Sequence, residues 1–473
     1  MEKQNRVLGL FDTTLIVSGS MIGSGIFIVS SDMARTIGST AWLLICWILT
    51  GVITIFAALS YGELAGMLPH AGGQYVYIKR AYSPLIAFLY GWTVFLVIQT
   101  GVIAAVAVAF SKYIGVFIPV FNENNILLQI GDFKLKYAQI LAIACILFLT
   151  WLNIQGIQYG KIIQRIFTSA KLIALFGLIA IGIYFGFTQD VLSQNFADPW
   201  KANQLVGSSE NHTISELNGI ILLAFVGVAM IGSLFSSDAW NNVTFIAAEI
   251  KEPHKNIPLG LLFGTLIVTV IYVLANIAYL CLLPMKDIQF ALHDRVGAAA
   301  MSVVFSGNTA IYLMAALIIV STFGCNNGLI LAGSRLFQTM AQDGLFFKKA
   351  ATLNKNQVPG KSLVLQGIWA SMLCLSGSYG DLLEYSTFAS LIFYCITIAA
   401  VFILRKKEPD LERPYKAFGY PWIPALYLII TTAICIDLLY FKTKNTGIGL
   451  LIVLIGIPVY YLMMSRKKGN EIS

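Results

Sequence analysis

The chain has 473 residues, of which 58% are hydrophobic and 11% charged, with a mean hydropathy of +0.78 and a formal net charge of +8. A soluble domain carries about 25% charged residues, so this chain cannot cover itself with a polar surface and reads as an integral membrane protein. Its basic residues form no patch interleaved with aromatics, which argues against a nucleic-acid partner.

The opening stretch, MEKQNRVLGLFD, has no cleavable signal pattern, so the first apolar run is expected to insert and stay. A helix needs about 20 apolar residues to cross the hydrocarbon core. On that rule the sequence predicts an all-α protein of twelve spans. They run approximately 12–34, 40–66, 84–112, 137–154, 162–186, 219–248, 258–284, 307–341, 362–378, 381–404, 420–441 and 446–465. Several exceed the minimum, which predicts tilted or broken helices. Short loops join them, and residues 1–465 form one transmembrane domain ahead of a tail at 466–473. The longest outer segment, 187–218, contains the chance sequon Asn211-His212-Thr213.

Lysine and arginine set the orientation. With the N-terminus inside, 21 of the 31 fall on inner flanks and nine on outer flanks, with Lys171 inside span 5. Both termini are therefore expected in the cytoplasm, and the basic charge is mostly a topological signal. All seven cysteines fall in apolar runs and none pairs with histidine at metal spacing. They read as free thiols acting as small hydrophobes. The four histidines are scattered over loops. No metal site and no cofactor is expected.

Span 1 contains GSMIGSGIF (19–27), with three glycines and two serines where no water can satisfy a broken backbone. An interruption is tolerated there only if it lines a cavity or is buried in protein. Span 6 contains GSLFSSDAW (232–240), which repeats the glycine and two serines at an offset of 213. Interrupted segments in corresponding places of two halves mark a transporter built from inverted repeats. Spans 1–5 (12–186) would form one repeat, spans 6–10 (219–404) the second, inverted one, and spans 11–12 (420–465) an accessory pair. A broken helix offers N–H groups at one end, which suit a carboxylate, and C=O groups at the other, which suit an ammonium. Two crossing breaks could hold a zwitterionic α-amino acid without a full side-chain charge.

Lys171 lies about ten residues into span 5, and an ionisable residue there is a functional candidate by default. Its ammonium can take the place of a sodium ion, bridging the break in span 1 to Ser321-Thr322 of span 8; the plainer reading is snorkelling to the interface. Asp238, in the second break, could bind a substrate amine, pair with Lys171, carry a proton, or cap the re-forming helix near Asn241. Phe235 reads either as a lid on substrate or as a packing aromatic. Gln99 in mid-span 3 reads as an interhelical hydrogen-bonding residue, Asp12 as the N-cap of span 1, and Glu63, near the inner end of span 2, as within reach of water. No catalytic triad, phosphate loop or zinc helix is present, so the chain does not read as an enzyme.

GSMIGSGIFI (19–28) resembles the first-helix signature of the amino acid–polyamine–organocation superfamily, and within it the L-type amino acid transporter branch and its bacterial relatives. YGELAGMLPHAGGQYVYIKRAY (61–82), FTSAKLIAL (167–175), AEIKEPHKNIP (248–258), STFGCNNGLILAGSRLFQTMAQDGLF (321–346) and ERPYKAFGYPWIPALY (412–427) extend the resemblance along most of the chain. It implies a 5+5 inverted-repeat fold with discontinuous helices 1 and 6, working by alternating access. It implies substrate contacts from the first break, above all Met21, Ile22, Ser24 and Gly25, with Ser20 and Gly23 beside them. It implies contacts from the second break at Phe235, Ser236, Ser237 and Asp238, and a sodium-site role for Lys171 with Ser321 and Thr322. Animal heteromeric members carry a cysteine in the outer loop after span 3 that binds a single-span glycoprotein. Residues 113–136 have none, so no disulfide-linked heavy chain is expected and a microbial inner-membrane permease fits better. FSSDAW departs from the FAYGGW type of pattern, because Asp238 stands where a small residue is usual.

The expected function is secondary active transport of L-amino acids, neutral ones first, as an exchanger or proton-linked symporter. Cationic amino acids or polyamines are the alternative substrates. A transporter-like sensor is the alternative of another class, against which the short tails argue. Oligomeric state is not legible.

Overall fold

The computed structural model describes residues 6–122, 124–131, 133–188, 190–207, 211–305, 307–375 and 379–472, with the backbone alone at 130, 133, 379–382 and 466–472. Lys3, residues 376–378 at the end of the expected ninth span, and the side chains of the 466–473 tail lie outside the described residues. In hydrocarbon every backbone N–H and C=O must be satisfied within the segment, and the helix does this locally. The apolar runs accordingly fold as helices. Ten are long and apolar enough to span: Thr40–Met67, Pro84–Phe117, Tyr137–Ile154, Ile157–Gly186, Gly219–Glu249, Pro253–Leu282, Thr309–Gln342, Leu383–Lys407, Trp422–Phe441 and Thr443–Ser465. A bent pair, Leu10–Met21 and Gly25–Ile37, adds span 1.

The described residues thus give eleven spans where twelve were expected. The difference is span 9, whose helix runs only Gly360–Leu373, 14 residues. At about 1.5 Å per residue it reaches about 21 Å, short of a hydrocarbon core of about 30 Å.

Local chemistry sets the ends. Ser39 caps span 2 by accepting the Trp42 N–H at 3.3 Å, and Ser83 caps span 3 from just ahead of Pro84. Spans 4 and 5 are joined by two residues only, with Gly156 at φ +136°, a region closed to most side chains. The connections on the side opposite the N-terminus are more structured than the short loops expected. Two hairpins pair Ile126–Ile130 with Phe133–Lys136 and Asn203–Gly207 with His212–Glu216, and the 283–308 connection carries helices Met285–Gln289 and Val296–Val304.

Spans 1, 2, 5 and 7 pack together, as do spans 3, 5 and 8 and the outer half of span 1 with span 6. These helices enclose the middle of the molecule, while spans 11 and 12 lie against spans 3 and 10 at the edge. On the side of the N-terminus, ion pairs tie the span ends together. Asp12 receives Arg165 at 2.5 Å and Lys161 at 3.1 Å; Glu63 receives Arg405 at 2.6 Å and Arg413 at 3.4 Å; Glu249 pairs with Arg335. Two sequence expectations are corrected here. Asp12 is not the N-cap of span 1: Gly9 is, and Asp12 reaches back to the Gly9 N–H at 3.1 Å. Glu63 does not reach water, because its side chain is 1% exposed and also accepts the Ala417 N–H at 2.7 Å.

Candidate functional site

The two halves of span 1 meet at 43°, with Ile22, Gly23 and Ser24 between them. Helical bonding stops at Ile22 N–H to Ser18 O and resumes at Phe27 N–H to Ser24 O. The carbonyls freed by the break are taken by side chains from three other spans. Lys171 Nζ donates to Gly19 O at 2.6 Å and Ile22 O at 2.5 Å, and lies 3.5 Å from Ser321 O. Ser321 Oγ donates to Ile22 O and Gly23 O at 3.1 and 3.0 Å, and Cys325 Sγ to Ser20 O at 3.0 Å. Tyr272 OH reaches both Met21 O at 3.1 Å and Ser236 O at 2.9 Å, joining the two breaks. Every carbonyl from Gly19 to Gly23 therefore has a partner outside its own helix. At the other end of the break, among the described residues, no backbone carbonyl accepts the Gly23, Gly25 or Ile26 N–H.

In span 6 the α-helix Gly219–Ser236 ends, and the chain resumes after Ala239 as a 3-10 helix, Trp240–Glu249. Ala239 sits at φ +64°, uncommon for a residue with a Cβ and a mark of imposed local strain. Asp238, inside this break, accepts from Tyr394 OH and from Ser390 Oγ at 3.2 Å, both on span 10. Around it runs a buried polar network. Asn241 Nδ2 donates to Gln74 Oε1 at 2.7 Å, Tyr90 OH to the same oxygen at 2.9 Å, and Gln74 Nε2 to Thr397 Oγ1 at 2.9 Å. Of the readings open for Asp238 in the sequence, pairing with Lys171 and capping at Asn241 are not what the side chain does here.

The breaks touch. A Cβ on Gly25 would stand 2.1 Å from Ser236 Oγ and 3.1 Å from Ser236 Cα, so only glycine permits this approach. Between them lies a hollow of about 20 Å³, lined by Ser20, Met21, Gly23, Ser24, Gly25, Phe235, Ser236, Asp238 and Cys325. Two further hollows of the same size open on other sides of Asp238. Each has room for about one water. A wider vestibule of about 420 Å³ begins one turn away at Val29 and Gly232 and opens opposite the N-terminal side, lined by Asp32, Arg35, Lys112, Glu384 and Lys442.

The structure brings most of the sequence candidates together. Ser20, Met21, Gly23, Ser24, Gly25, Phe235, Ser236 and Asp238 share one hollow, and Ile22 contributes its carbonyl to Lys171 and Ser321. Ser237 faces a different hollow, with Thr54 and Tyr427. Thr322 is not brought to the break, because its hydroxyl donates to Ile318 O of its own helix at 2.7 Å. Gln99 makes the expected interhelical bond, to Leu329 O at 2.8 Å. Sequence reasoning missed Tyr272, Cys325, Ser390 and Tyr394. The first two lie in apolar runs where a tyrosine or a thiol reads as core. The other two carry a signal only in retrospect, as hydroxyls four apart on one helix face.

A family model described as amino acid permease matches residues 8–463. The human large neutral amino acids transporter small subunit 2 is 31% identical over 468 residues, covering 96% of this chain and 80% of the relative. The serine/threonine exchanger SteT of Bacillus subtilis is 29% identical over 463 residues, covering 97% of each. The mouse b(0,+)-type amino acid transporter 1 is 27% identical over 468 residues, covering 98% of this chain and 88% of the relative. A chain of apolar spans with a broken, backbone-lined centre, matched by this family over nearly its whole length, is a multi-pass membrane transporter and not an enzyme: it belongs to the amino acid permease family.

Proposed function

We propose that this permease exchanges neutral L-amino acids across a bacterial inner membrane, with both termini in the cytoplasm. The observation that carries this reading is the contact of Gly25 with Ser236 at the meeting point of two interrupted spans. The substrate carboxylate lies against the Gly23, Gly25 and Ile26 N–H groups, at the positive end of the second half of span 1. Its ammonium lies against the carbonyl end of the Gly219–Ser236 helix. Lys171 stands in for a coupling cation: it holds the break open by occupying its carbonyls and takes no part in binding. Exchange is favoured over proton symport by the name of one relative, a serine/threonine exchanger, and neutral substrates by that of another, a large neutral amino acids transporter.

Residues 12–186 and 219–404 act as the two inverted repeats. The ion pairs at Asp12, Glu63 and Glu249 close the inner side and must separate for release, while the vestibule lies on the outer side. The bias of 21 basic residues to nine supports that orientation. Residues 113–136 hold no cysteine, which supports a permease working without a disulfide-linked heavy chain.

One observation favours a second reading. Asp238 is a buried carboxylate in contact with three hollows, and it would attract a substrate with a cationic side chain or a polyamine. A counterflow panel of all amino acids in proteoliposomes, with and without a pH gradient, decides. Neutral amino acids should drive exchange with no gradient. Counterflow by lysine, ornithine or polyamines alone would give the second reading, and binding without flux would make the protein a sensor.

A further inference from the structure

A groove of about 760 Å³ lies at the span ends on the N-terminal side, outside the site described above. Its walls are the end of span 4 at Ile154, the start of span 9 at Gly360 and the 347–354 connection between spans 8 and 9. Phe347, Leu353, Val364 and Leu365 line it, and Phe347 and Val364 are 61% and 43% exposed. Three lysines, Lys348, Lys349 and Lys361, also line it, and no acidic residue does.

Their convergence sets these lysines apart, since Lys251, Lys255, Lys355, Lys406 and Lys416 on the same side also engage no carboxylate among the described residues but do not line this groove. On the same side Lys79, Arg80, Lys161, Arg165, Arg335, Arg405 and Arg413 each engage a carboxylate. Lys348, Lys349 and Lys361 are exposed and engage none among the described residues. A topological bias alone would account for unpaired lysines on this side, but not for three of them gathered around one apolar trough. Gly360 and Lys361 also open a 14-residue helix, whose first turn adds partial positive charge. The connection is held in shape: Asn354 and Asn356 donate to Ile154 O at 2.9 and 3.2 Å.

We propose that this groove binds an anionic phospholipid of the leaflet on the N-terminal side. The phosphate sits among Lys348, Lys349 and Lys361, and an acyl chain lies along Phe347, Val364 and Leu365. An apolar trough with a cationic rim at a span end matches a lipid that is charged at one end and hydrocarbon at the other. A second copy of the chain is a poorer match, since a two-fold contact here would bring like charges together. The site is separate from the substrate hollow, so the proposal does not rest on the transport reading.

The test is native mass spectrometry of the purified full-length protein in neutral detergent, incubated with phosphatidylglycerol or phosphatidylcholine. Wild type should retain one phosphatidylglycerol through detergent removal and no phosphatidylcholine. The K348Q/K349Q/K361Q variant changes only exposed side chains, so it should melt like wild type without lipid. It should retain phosphatidylglycerol at least tenfold less, and F347S should also weaken retention. Glycerol phosphate, the headgroup without the chains, should not compete. Equal retention by the triple variant overturns the proposal. Full competition by glycerol phosphate would make this a free-phosphate site, and a wild-type dimer abolished by the triple variant would make it a subunit contact; either result also overturns it.

Discussion

Replacing Lys171 separates stability from transport. The ammonium is fully buried and makes two short charge-assisted hydrogen bonds, to Gly19 O and Ile22 O. Such bonds contribute about 1.5–3 kcal/mol each, so Lys171→Ala removes about 3–6 kcal/mol from the broken form of span 1. At about 1.4 kcal/mol per tenfold, that lowers the population of the binding-competent geometry by a factor of about 10² to 10⁴. The net loss of global stability is smaller, because burying an unpaired ammonium costs several kcal/mol that the variant no longer bears. Exchange in proteoliposomes should therefore fall at least a hundredfold, while expression, a monodisperse elution profile and most of the melting temperature survive. Lys171→Met fills most of the space without the charge and should behave the same way, which assigns the effect to the ammonium and not to a cavity. Wild-type exchange by both variants would leave Lys171 as a packing residue with no part in transport.

Other outcomes follow from the same geometry. Gly25→Ala puts a methyl into the space between Gly25 and Ser236 that the head group must enter, so substrate binding measured by thermal shift should disappear, and adding Ser236→Gly should restore part of it; retained binding by Gly25→Ala alone would place the site elsewhere. Tyr272→Phe deletes the hydroxyl that joins Met21 O to Ser236 O, a loss of about 1–2 kcal/mol, and should slow exchange about tenfold; an unchanged rate would mean the bridge is idle. Arg405→Ala takes the bidentate partner from Glu63 and should increase thiol labelling of a cysteine introduced on the N-terminal face; labelling at the wild-type rate would mean this pair does not hold that face shut.

What the sequence made legible follows from what is unusual in a membrane span. Glycines and serines in clusters and a lysine among leucines contradict their setting, and they pointed to residues 19–25, 232–240 and Lys171. Span limits were also legible, since hydrophobic length is a direct physical requirement: span 4 was expected at 137–154 and runs Tyr137–Ile154. Residues that agree with their setting gave no signal. Tyr272 sits in VTVIYVLAN, and Cys325, although its stretch STFGCNNG is itself polar, read as a small hydrophobe; only the fold turns their polar atoms onto the break. Thr322 shows the opposite error. Adjacent hydroxyls on a helix point about 100° apart, so Ser321 faces the break and Thr322 bonds to its own helix. Asp12 and Glu63 were misread because their partners, Arg165, Arg405 and Arg413, are more than 150 residues away in the chain.

If the two interruptions jointly hold the amino acid head group, a structure determined with a transported amino acid bound will show it there. Density for the carboxylate should lie beside the Gly23, Gly25 and Ile26 N–H groups and for the ammonium beside the end of the Gly219–Ser236 helix, with Gly25 and Ser236 drawn apart to enlarge the present hollow of about 20 Å³. Substrate bound elsewhere, with Gly25 still seated on Ser236, would contradict this placement.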